Sequence, residues 1–142
     1  MTWTGGGDER EDVYLCQPGG LPNLLLRQKT DGSMEDISSA AGVDWLDDST
    51  GALLVDLDGE LDLLVLRYGA DSREVGDFPT PHPFYDARNG GANVLLENQG
   101  GFQFADATAA RGLDVDNHRF SFAASWEDYD NDGDPDIYIA ND

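Results

Sequence analysis

SFAASWEDYDNDGDPDIYIAND, residues 121–142, sets five aspartates at every second position from Asp128 to Asp136 between two apolar runs. Calcium is a hard cation that takes roughly six to eight oxygen ligands, and alternating aspartates in a tight loop supply them. In such a loop the first, third and fifth positions turn carboxylates inward, the sixth needs a positive φ, and the seventh offers its backbone carbonyl. Here those positions are Asp128, Asp130, Asp132, Gly133 and the carbonyl of Asp134, with Asp136 as a further ligand, direct or through water. Without a cation the arrangement is costly, since carboxylates held roughly 4 Å apart repel by about 4 kcal/mol at an effective dielectric near 20. Magnesium demands a tighter octahedron, and the loop has neither the Cys nor the His that zinc or copper would favour.

The flanks decide what the loop connects. An EF-hand would need a glutamate at its twelfth position and helices on both sides, but that position is Ile139. Phe120, Phe122, Ala124 and Trp126 alternate with polar or small residues, so one face of the leading run is expected in a core, as in a strand. The other apolar runs are also short, rich in Leu, Val, Ile, Phe or Tyr, and bounded by Gly, Asp, Asn or Pro. That pattern predicts an all-β chain, with single helical turns at "ISSAAG" (37–42) and "ATAARG" (107–112) ended by Gly42 and Gly112.

The chain resembles itself. "NLLLRQKTDGSMEDISSAAGVD" (23–44) lies without a gap over "NVLLENQGGFQFADATAARGLD" (93–114), an offset of 70 residues from Asn23 to Asn93. Downstream, "STGALLVDLDGELDLLVL" (49–66) pairs with residues 121–140 once two residues are added to the second loop. Asp56, Asp58, Gly59 and Asp62 then match Asp128, Asp130, Gly133 and Asp136, and a fainter third match sets Asp12 on Asp136. The expected organisation is a partial unit over 1–22, a whole unit over 23–92, and a second, truncated unit over 93–142. Within the whole unit, 70–92 is an irregular insertion whose Pro79, Pro81 and Pro83 block ladder pairing. Its aromatic residues Phe78, Phe84 and Tyr85 are expected to pack onto the sheet beneath, with a ligand-facing surface, shared with Arg88, as the other reading. The shorter loop keeps Asp56, Asp58 and Asp62 but lacks a third inward carboxylate. It is expected to bind calcium weakly or not at all, because a "DG" hairpin closes on hydrogen bonds alone.

Charge narrows the partners. Twenty-nine Asp and Glu against eight Lys and Arg give a net charge of −21, which repels nucleic acid and anionic membranes and favours cations. With 39% hydrophobic residues the chain is still expected to fold. The single cysteine, Cys16, excludes an internal disulfide and is expected to be a small buried strand residue. His82 and His118 have no partnered nucleophile near them in sequence, and neither glycine cluster, 5–7 or 90–92, follows a strand and opens a helix as a phosphate loop would. No run approaches the roughly 18 apolar residues of a membrane span, and the first residues carry no export signal.

"DYDNDGDPDIYIAND", preceded by "FAASWE" and accompanied by an N-x-L-L strand and an F-x-D-x-T strand, resembles the FG-GAP/VCBS repeat, which builds integrin α-like β-propellers. The longer stretch from Asn93 to Asp114 resembles the variety in cartilage acidic protein and its ASPIC/UnbV relatives. The resemblance implies four-stranded antiparallel blades, two to three of them incomplete here, with the calcium loop joining the first two strands. It also implies a non-catalytic module that binds extracellular protein or glycan, secreted, surface-bound or periplasmic, as part of a longer chain. The alternatives are an accessory propeller of a secreted lyase, hydrolase or lipase, and a purely structural calcium-stabilised repeat.

Overall fold

The computed structural model describes residues 2–3 (backbone), 10–45, 48–69, 83 and 85–142. Phe78, Pro79, Pro81, His82, Phe84 and the first glycine cluster lie outside the described residues. Among the described residues the chain is all-β, in three antiparallel sheets whose strands follow sequence order. Strands β1 (Thr2–Trp3), β2 (Asp12–Leu15), β3 (Leu24–Gln28) and β4 (Met34–Asp36) form the first sheet. After the single-turn helix α1 (Ser38–Ala41), β5 (Ser49–Asp56), β6 (Leu61–Arg67), β7 (Val94–Asn98) and β8 (Phe104–Asp106) form the second. Strands β9 (Ser121–Glu127) and β10 (Asp136–Asn141) form a two-stranded third. Residues 23–69 thus give two strands to the first sheet and two to the second.

Two cores hold the sheets face to face. Tyr14, Leu25, Ala41 and Val43 meet Leu63, Val65, Val94 and Leu96 in the first. Val55, Leu64, Leu66 and Leu95 meet Leu113, Trp126, Ile137 and Ile139 in the second. The second sheet is therefore covered on both faces, which is why β6 is buried continuously from Asp62 to Leu66 rather than at alternate residues. Each Leu, Ile or Val removed from water contributes about 1.5–3 kcal/mol.

The same polar fasteners occur at two places 70 residues apart. Asp36 Oδ1 accepts the Ser38 N–H, and the Ser38 hydroxyl accepts the Leu25 N–H at 2.8 Å. Asp106, Thr108 and Leu95 repeat this at 2.9 and 3.0 Å. The turn that follows closes each time by an i→i−4 bond, Ala41 to Ile37 and Arg111 to Ala107, and ends on a left-handed glycine, Gly42 (φ 76°) or Gly112 (φ 72°). Between sheets, buried Asn23 donates to Ser49 Oγ and buried Asn93 to Ser121 Oγ, both at 2.8 Å.

Three expectations are corrected. Phe122 is 75% exposed, because Asn141 pairs with Ser121 and Ala140 with Ala123, leaving Phe122 as the extra residue of a bulge; Phe120, before the strand, is buried instead. Cys16 stands one residue beyond β2 and is only half-buried against the first core, where burial pushes its thiol pKa up. Tyr85 is 91% exposed: it sits in a turn closed by the Asp86 N–H on the Pro83 carbonyl, with Asp86 paired to Arg88 and Arg119.

Candidate metal centre

The hairpin between β9 and β10 gathers carboxylates. One oxygen from each of Asp128, Asp130 and Asp136 lies within 4.8 Å of the other two, with Asp128 and Asp136 half-buried and Asp130 exposed. Two oxygens on opposite sides of one calcium ion are about 5 Å apart, so the group matches that ion's size. Strand geometry sets the placing: Asp136 opens β10 opposite Glu127, and Asp128 directly follows β9.

Backbone donors shape the rest of the loop. The Asp132 N–H donates to Asp128 Oδ1 and Asp130 Oδ1, each at 3.1 Å, and the Gly133 N–H to Asp128 Oδ2 at 3.1 Å. The Tyr129 N–H donates to Asp136 Oδ2 at 3.0 Å. Asn131 (φ 61°) and Gly133 (φ 97°) take the left-handed backbone that turns successive N–H groups inward. Asp132 stands apart from the three-carboxylate group, its Oδ1 accepting the Asp134 N–H at 3.0 Å. The Asp134 side chain is exposed.

The shorter loop between β5 and β6 is built differently. Asp56 Oδ1 accepts the Gly59 N–H at 2.6 Å, with Gly59 at φ 110°, and Asp58 Oδ1 accepts the Glu60 N–H at 3.3 Å. Asp62 is fully buried and takes two backbone donors, Leu57 at 3.1 Å and Asn98 at 2.9 Å. Burial pushes its pKa up, against the pull of those two N–H groups. Among the described residues, Asp56, Asp58 and Asp62 do not converge as the longer loop's acids do.

Some structural roles escaped the reading of the sequence. Asp62 and its counterpart Asp12 tie adjacent strands: the Gln28 N–H reaches Asp12 Oδ1 at 3.0 Å as the Asn98 N–H reaches Asp62. Their signal was the acid opening each apolar run. Gly90 also has a structural reason, since a Cβ there would lie 2.4 Å from the Arg119 carbonyl oxygen. His118 is exposed on the rim of a cavity of about 650 Å³ that Trp45 and Asp114 also line.

No protein-family model matches the chain, and no curated protein matches it at a significant level. Among the described residues no helix is long and apolar enough to cross a membrane.

Proposed function

We propose that this chain is a calcium-binding module of the FG-GAP/VCBS kind, its stacked sheets serving as successive propeller blades. It acts outside the cytoplasm as a non-catalytic platform for protein or glycan. The observation that carries the reading is the convergence of Asp128, Asp130 and Asp136 at the mouth of a β-hairpin. Face-to-face packing of consecutive antiparallel sheets supports the blade assignment. Calcium would be held by Asp128, Asp130 and Asp136, with Asp132 and the Asp134 carbonyl completing the shell as the loop closes on the ion. Its role is to neutralise the acids and lock the hairpin, and through it the loops at that end of the sheets.

Isothermal titration with calcium tests this. One site is expected, with Kd on the order of 10⁻⁴–10⁻³ M as in extracellular modules. It should be lost in Asp130→Ala and kept in Asp58→Ala. Binding unchanged by Asp130→Ala would overturn the site, and two equal sites would overturn the weak assignment of the shorter loop.

A further inference from the structure

We infer that the cavity at the seam between the first and second sheets is a carbohydrate site, seating one hexopyranose ring with its C–H face on Trp45 and its hydroxyls on Asp106, Asp114 and His118. This names a ligand class for the glycan side of the platform proposed above and rests on that reading. The cavity has a volume of about 650 Å³, within the roughly 300–1,000 Å³ of small-molecule sites. Its walls come from Trp45, the facing ends of β6 and β7, the turn after β8 and the loop that leads to β9. Strands β6 and β7 are each paired on both sides, so the cavity does not stand at an open sheet edge.

Part of the lining is scaffold whose polar atoms are already spent. Asn117 exchanges hydrogen bonds with the Asn93 main chain at 3.1 and 2.8 Å, and the Thr108 hydroxyl joins the Leu95 N–H to Asp106 Oδ1. Arg67 Nη1 donates to the Ala92 carbonyl at 3.0 Å, which fixes the guanidinium at the wall. The rest of the lining is not tied in this way. Asp114 and His118 are exposed, and among the described residues no hydrogen bond or ion pair engages the Asp114 carboxylate or the His118 ring. Trp45 packs on one side against the first core and spends its Nε1 on the Gly42 carbonyl at 3.0 Å, so what it offers a ligand is apolar ring surface. The scaffold repeats, Asn23, Asp36 and Ser38 matching Asn93, Asp106 and Thr108. Trp45 and Arg67 do not: Val115 stands 70 residues after Trp45, and Asn141 follows Asp136 at the distance at which Arg67 follows Asp62. Neither residue is needed to join two sheets, since the next seam does without them.

The mixture of charges selects the ligand. Asp106, Asp114 and a net charge of −21 repel an anion such as phosphate. Arg67 opposes a simple cation, and among the described residues the acids of this cavity do not converge as those of the long loop do. A neutral polyhydroxylated ring meets both conditions: its hydroxyls donate to the two carboxylates and accept from an imidazole N–H, and bonds to ionised groups are the stronger kind. Its C–H face meanwhile covers the Trp45 ring and removes apolar surface from water. Walls already held by the scaffold keep the ordering cost of binding low.

Saturation-transfer NMR on the full chain with the methyl glycosides of glucose, galactose, mannose and N-acetylglucosamine tests the site. At least one is expected to bind with a Kd on the order of 1 mM, as suits a ligand of that size, and to receive most saturation at the C–H groups of one ring face. Affinity should fall about fivefold in Asp114→Asn and in His118→Ala, each the loss of one hydrogen bond at an exposed position outside both cores and the calcium loop. Calcium titration of the same samples separates the two readings: intact calcium binding with no glycoside binding overturns the cavity assignment alone. Silence from all four glycosides, or binding unchanged in both variants, would overturn the inference.

Discussion

Asn93 shows how much one polar side chain can hold. Its Oδ1 takes the Arg67 N–H, its Nδ2 donates to Ser121 Oγ, and its own main chain meets Asn117 in both directions. It is buried, so truncation strands a partner where water does not reach it. Asn93→Ala is expected to cost about 1–3 kcal/mol, read as a lower urea midpoint, because the Arg67 N–H loses this acceptor while Ser121 Oγ keeps its bond to Asn141. A change below about 0.5 kcal/mol would mean that water replaces the lost bond. This fastener was half legible: asparagine stands before both apolar runs in the sequence, but Ser121 lies 28 residues away, and nothing local names it as the acceptor. Asp62 was legible as an acid and not as a strand tie, since its role depends on an N–H 36 residues downstream.

At the scale of the element, Asp36 and α1 form one unit. The Ser38 hydroxyl, and next its N–H, hold the Asp36 carboxyl below the ordinary carboxylate range. A depressed folded value contributes stability above the unfolded pKa, about 3.9, and loses it as pH falls through the folded value. Asp36→Asn is therefore expected to flatten the fall of stability below about pH 4, followed by thermal melts across acid pH; an unchanged acid slope would count against the assignment. Elements were read better than their edges. The hairpin around Asp128–Asp136 followed from aspartate spacing and a glycine at the turn. The bulge at Phe122 did not, because it depends on how Ser121 registers with Asn141, a pairing that strict alternation cannot foresee.

For the whole molecule, charge is the dominant liability. A net charge of −21 on 142 residues destabilises any compact state through self-repulsion, and salt relieves this without regard to position. Calcium bound in one loop should do more. Millimolar calcium, about one to ten times a Kd of 10⁻⁴–10⁻³ M, adds about 0.4–1.4 kcal/mol. The melting temperature in millimolar calcium is expected to exceed that in sodium chloride of matched ionic strength, and the excess should vanish with EDTA or Asp130→Ala. Equal melting in both salts would reduce calcium to general screening. The all-β class was readable from short apolar runs, whereas the phase of the sheets was not: self-similarity begins at Asn23, but the first sheet continues to Asp36 and the second opens at Ser49.

That displaced phase bears on how such a chain can grow. A tandem duplication of residues 23–92 would copy the last two strands of one sheet, the first two of the next, and the Asn-to-Ser bond that joins them. The heritable parcel would be a seam and not a panel, so each added copy would arrive already stitched to its neighbour. Excision of the parcel would leave flanking halves that still match, and gain or loss of sheets need not pass through an unclosed intermediate.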